Sequence, residues 1–124
     1  MRKNITFIFT ILLSQLFTSS WSQTYSIKQI DSILNIPYDD IVSNTTHSLE
    51  LFNKVLADAK IQNYKLGIAN SYDKMALCYF YQNKYDLQAK YIFIAIDHFN
   101  KLKHHNKVAS LYSSYGYHLK RRNL

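Results

Sequence analysis

Five histidines and a single cysteine carry the richest chemistry in this 124-residue sequence, and their spacing is where a site would first be sought. His104 and His105 are adjacent, and neighbours on a helix point about 100° apart, so the two cannot share one ion from a helical backbone. His98 lies six residues before His104, across an expected helix end. No cysteine or carboxylate completes a metal-ligand spacing, so no metal site is expected. Cys78 sits among apolar residues with no histidine four positions away, which reads as a packed thiol rather than a nucleophile. There is no glycine-rich phosphate loop, serine nucleophile turn or carboxylate pair, so neither a catalytic site nor a cofactor is expected and the chain is read as a non-enzyme.

Tyrosine is the other abundant functional side chain, with eleven copies. Tyr79, Tyr81, Tyr85 and Tyr91 cluster around one turn, with Lys74, Lys84 and Lys90 interleaved. Part of this set fills a core. The rest suits a contact surface, where tyrosine provides area at low entropic cost. Lys74, Tyr81 and Lys84 are the candidate partner-binding residues. The same mixture of basic and stacking side chains can serve nucleic acid, a weaker alternative for an exported chain.

Export is the reading of the first 22 residues. Arg2 and Lys3 precede an apolar run from Ile5 to Phe17, and Ser20-Trp21-Ser22 places small residues where a signal peptidase reads, with cleavage expected before Gln23. A retained anchor is opposed by length, since about 13 apolar-leaning residues fall short of the roughly 20 that span a bilayer. No later segment is apolar enough to span. Removal of the leader leaves 13 basic and 8 acidic residues, a net charge of +5. With one cysteine no internal disulfide can form, so stability must come from packing.

The elements that position these residues read as helices throughout. Residues 23–37 are a polar lead in which Ile27, Ile30, Ile33 and Leu34 allow one or two turns. Pro37 presets the first helical position, Asp39 and Asp40 suit the positive end of a helix dipole, and a helix is expected from Tyr38 to Ile61. Asn44, Thr45, Thr46 and His47 are poor helix formers and mark the place where that helix would break. Asn63 and Asn83 tolerate the left-handed conformation that ends a helix. Helices are expected from Lys65 to the Asn83 stop and from Tyr85 to Leu102, with His104, His105 and Asn106 as a turn and a last helix from about residue 107. Stops at Asn63, Asn83 and Asn123 differ by multiples of twenty, so two helices make a forty-residue unit. No stretch alternates with the period of a strand.

The apolar stripes repeat at that spacing. Tyr72, Met75, Ala76 and Tyr79 return as Tyr112, Tyr115, Gly116 and Leu119, and Ala95 lies at the centre of the intervening helix. Small residues let helix backbones approach while tyrosines fill the grooves beside them. These nine residues are the expected repeat-packing set.

This pattern resembles the tetratricopeptide repeat (TPR). In that family the first helix of each repeat carries a large aromatic, a leucine-like residue followed by a small one, and a tyrosine three further on; Tyr72, Met75, Ala76 and Tyr79 stand at those places. Ala95 stands at the last alanine place of the second helix. Gln88 replaces the first alanine, Ile92 replaces the aromatic, and the terminal proline is missing. The longer period resembles variants at the amino-terminal end of bacterial exported sensors and regulators. The segments from Asp31 to Tyr38 and from Tyr115 to Asn123 look like the same group.

The resemblance implies an all-α fold, antiparallel helix hairpins in a right-handed TPR-like solenoid spanning residues 38–124. Within it, 38–63 would be a degenerate half-repeat, 65–103 a repeat and 107–124 the start of the next. It implies a protein-interaction scaffold, the sensory part of a histidine kinase or helix-turn-helix regulator, in the periplasm or on the periplasmic face of the inner membrane. Its partner would be a protein or peptide. The last helix has a full apolar stripe and no following helix, so the solenoid is expected to be incomplete there. Further repeats of the same chain, or another copy in a small structural dimer, would cover it.

Overall fold

The computed structural model describes residues 23–123. The expected signal peptide, residues 1–22, lies outside them. Six helices follow in order: α1 Ile27–Leu34, α2 Tyr38–Ser43, α3 Thr45–Ile61, α4 Lys65–Tyr81, α5 Tyr85–Lys101 and α6 His105–Arg122. Among the described residues there is no strand, so the fold is all-α.

The short leading helices are set by local chemistry. Ser26 and Gln29 form a reciprocal capping box at the start of α1, each side chain accepting the other's backbone N–H. Pro37 is the N-cap of α2, one position earlier than expected, and Asp39 and Asp40 occupy the first turn. The single helix expected from Tyr38 to Ile61 is broken at Asn44. That residue is extended, with φ −146°, and its side chain accepts the His47 N–H to cap α3. Asn44 gains more as a cap than inside a helix, where its side chain competes with the backbone. Ser48 then donates to the Ile41 carbonyl across the break.

From α3 onward the chain repeats one device. Each of α3, α4 and α5 has 17 residues, and each is followed by a three-residue turn whose middle residue is left-handed: Asn63 at φ 54°, Asn83 at 58° and Lys103 at 59°. In each turn the last N–H reaches back five residues, from Tyr64 to Ala59, Lys84 to Tyr79 and His104 to Phe99. The left-handed residue bonds three back, to Lys60, Phe80 and Asn100. This pair of bonds is the Schellman closure, which satisfies carbonyls that a helix end leaves open. The third turn differs from the expected one at His104 to Asn106. It is centred on Lys103, and α6 begins at His105. At Asn123 the backbone is not left-handed, with φ −87°.

Paired contacts fix the directions. Thr45 meets Gln82 and Lys60 meets Tyr72, so α3 and α4 are antiparallel. Tyr79 and Tyr72 meet Tyr91 and His98, and Gln88 and Phe93 meet His118 and Tyr112, which makes α4–α5 and α5–α6 antiparallel too. Asp73 meets Lys107 and Phe80 meets His118, so α4 and α6 run parallel.

Helix α4 is central. One core cluster joins Ile68, Met75, Cys78 and Tyr79 to α1, α2 and α3 through Ile30, Leu34, Ile41, Phe52, Val55, Leu56 and Ala59. The other joins Ala69 and Ala76 to Ile92, Ala95, Ile96 and Phe99 of α5 and Leu111 of α6. Gly67 opens space for the first: a Cβ there would stand 2.5 Å from the Tyr64 ring and 3.2 Å from Ile30. The Tyr64 hydroxyl donates to Asp31 at 2.7 Å, and burial, then that bond and the Asp31 charge, push its pKa up to about 12. Ahead of α1, the Tyr25 N–H donates to the buried Asp58 carboxylate and its carbonyl accepts from the Gln62 amide, tying the lead to α3.

Candidate binding groove

The expected packing residues divide by copy. In α4, Met75, Ala76 and Tyr79 are buried, as is Ala95 in α5. Tyr72 is half-buried, its ring stacked on His98 at 5.5 Å and tilted against Tyr91 at 5.7 Å, with the Lys60 ammonium 5.6 Å above it. The copy in α6 is largely open. Tyr112 is 51% exposed and Leu119 36%, Gly116 has no heavy atom within 4 Å of the place a Cβ would take, and Tyr115 is half-buried against Phe93. The physical reason is one of neighbours. Ala76 faces α5, whereas no described helix lies on the corresponding side of α6.

The histidines do not converge. His104 and His105 are exposed at the start of α6, and among the described residues no group of three His, Cys, Asp or Glu side chains is placed to hold a metal ion. Burial, then the charges of Lys101, Lys60 and Lys65, hold His98 below the usual histidine pKa against the opposing pull of Asp97. Cys78 is buried, and burial raises its thiol pKa to about 11, so it is held protonated at neutral pH.

What the fold does assemble is a groove of about 240 Å³ along α4. Asp73, Lys74, Ala76 and Leu77 form its α4 side, Tyr38 comes from α2, Gln88 and Ile92 from α5, and Ser114 and His118 from α6. At one end Lys107 bridges to Asp73 at 2.7 Å. At its floor Gln88 is only 1% exposed, with its side-chain amide nitrogen 2.7 Å from His118 Nδ1. The His118 ring stacks on Phe80 with centroids 3.8 Å apart. Burial and then the neighbouring Arg121 charge lower the His118 pKa, which favours a neutral ring whose Nδ1 accepts the Gln88 N–H. The Gln88 carbonyl oxygen is buried and has no hydrogen-bond partner among the described residues. An unpaired buried acceptor carries a desolvation cost.

Of the three candidate partner residues, Lys74 lines this groove. Tyr81 hydrogen-bonds Tyr38 through their hydroxyls and lines a second concavity with Phe80, Asn83, Tyr85, Arg121 and Arg122. Lys84 is exposed at the end of the turn, in a third concavity with Asn83, Tyr85, Asp86, Leu87 and Arg122. Gln88 and His118 were missed as a pair because thirty residues separate them. The available signal was a glutamine at an alanine place on a buried stripe.

Compared with protein-family models, with curated proteins and with solved structures, the chain matches none. No helix among the described residues is long and apolar enough to cross a membrane.

Proposed function

We propose that this chain is a non-enzymatic helical-repeat scaffold whose groove along α4 takes an extended segment of a partner protein. The observation that carries the reading is the buried Gln88–His118 pair, with its unpartnered carbonyl oxygen under a groove built from four helices. Around this polar floor the walls combine apolar Ala76, Leu77 and Ile92 and the Tyr38 ring with Asp73, Lys74 and Ser114, so apolar contact would supply area and the polar groups would fix orientation. The twenty-residue recurrence of one turn and the forty-residue recurrence of one stripe support a solenoid of the TPR kind. The basic start, apolar run and Ser20-Trp21-Ser22 support export, and with it a role as the sensory part of a signalling protein.

Peptides selected from a random library on the immobilised chain test the groove. Binding should fall about tenfold or more in Leu77→Asp and in Gln88→Leu, with helical content retained. Peptides that bind both variants as tightly as the parent would remove this reading. For export, the mature protein recovered from a secreting host should begin at Gln23.

A second reading has its own observation. The open stripe of Tyr112, Gly116 and Leu119 suits a dimer formed through α6. Sedimentation should then give a dimer that Gly116→Leu converts to monomer, because a bulky residue keeps two backbones apart.

A further inference from the structure

We propose that the concavity between the α4–α5 turn and the end of α6 binds a phosphate group. It encloses about 180 Å³ between Phe80, Tyr81, Asn83, Tyr85, Arg121 and Arg122. Basic residues at the end of α6 follow from the helix dipole alone. The dipole does not explain why both guanidiniums reach across to other helices. The Arg122 guanidinium carbon lies 4.1 Å from the centre of the Tyr85 ring on α5, and that of Arg121 lies 6.0 Å from the Phe80 ring on α4 and 5.8 Å from Tyr117.

Stacking of this kind orders a guanidinium while leaving the N–H groups at its edge free to bind an oxyanion. Neither arginine is within ion-pair distance of a carboxylate among the described residues. Asp86 shares the adjoining concavity with Arg122 and Lys84 without reaching either as an ion pair. The turn adds a donor. Asn83 is held left-handed, and its side-chain oxygen already accepts the Tyr85 hydroxyl at 2.9 Å, which leaves its amide N–H₂ for a ligand. Donors therefore approach from the turn and from two positions on α6. A planar carboxylate is satisfied by one guanidinium, whereas a phosphate presents several oxygens in different directions and can use all three. This inference does not depend on the groove reading, since Gln88 and His118 take no part in it.

Isothermal titration of the full chain with pyrophosphate at low ionic strength tests it, with vesicles of phosphatidylglycerol or of phosphatidylcholine as a second arm. Saturable one-to-one binding is expected, weakened about tenfold or more in Arg121→Gln/Arg122→Gln and less than about twofold in Lys28→Gln/Lys103→Gln, which removes the same charge elsewhere. Arg122→Lys keeps the charge without the planar fork, so it should lose affinity several-fold at unchanged helical content. That variant decides the matter if the double arginine variant misfolds. Binding to phosphatidylglycerol vesicles alone, with the same dependence on Arg121 and Arg122, assigns the phosphate to a lipid headgroup. Absence of saturable binding in both arms, or equal losses in the two double variants, overturns the proposal.

Discussion

Asp58 shows how a buried charge is kept. Burial pushes its carboxyl up, but the hydrogen bonds from Lys54 and the Tyr25 N–H, with the Lys54 charge, outweigh that and leave its pKa below the ordinary 3.8. A carboxyl depressed in the folded state contributes stability that is complete above its unfolded pKa and is lost as pH falls through the folded value. Acid unfolding below about pH 4 should therefore release the Tyr25 lead, and Asp58→Asn should cost about 1 to 3 kcal/mol at pH 7 while flattening the acid limb, read by denaturant titration. His118 works in a higher window. Its pKa is also lowered, so the unfolded chain takes up a proton first, and stability should decline as pH drops below about 6.5. His118→Phe should remove part of that decline, with His98 supplying the rest; an unchanged slope between pH 7.5 and 5.5 would argue against the buried pair. Neither residue's role was legible from the sequence, because each depends on a partner from another segment: Tyr25 for Asp58, and Gln88 for His118.

At the level of elements, the turns were the most legible feature and also where one expectation slipped. Asn63 and Asn83 announce themselves because asparagine enters the left-handed region more easily than other residues with a side chain. Lys103 has no such signature, and its turn could be located only from the twenty-residue spacing. A lysine at φ 59° bears a cost of about 1 to 2 kcal/mol that asparagine partly avoids. Lys103→Asn should raise stability by roughly 0.5 to 1 kcal/mol, seen as an increase of a few degrees in Tm, with no change in helix content. The break at Asn44 was legible as a weak point in a helix. Its sharpness was not, because it also depends on Ser48 reaching the Ile41 carbonyl seven residues back.

For the molecule as a whole, the helical class and the buried stripes of α4 and α5 followed from periodicity. The docking of α1 against Gly67 did not, since a lone glycine in a helix reads only as a weakness until the Tyr64 ring is found over it. The central helix has little slack on its α5 side. Ala76 is buried among Ile92, Ala95 and Ile96, and Ala76→Leu should overpack that layer at a cost of about 1 to 3 kcal/mol in a thermal or denaturant melt. Gly116→Leu, at the equivalent place on the open face of α6, should cost nothing or stabilise the helix, and the contrast checks that the two faces differ in cover rather than in sequence pattern.

The three like turns also bear on how such a chain can change length. Tyr64 and His104 close equivalent turns, forty residues apart, with the same pair of backbone bonds. A recombination that deletes or duplicates residues 64–103 would therefore join helix to helix through an unaltered turn, and would bring Tyr112, Tyr115, Gly116 and Leu119 into the register of Tyr72, Met75, Ala76 and Tyr79. Gain or loss of forty residues preserves both turn and stripe; gain or loss of twenty preserves the turn but sets unlike faces together.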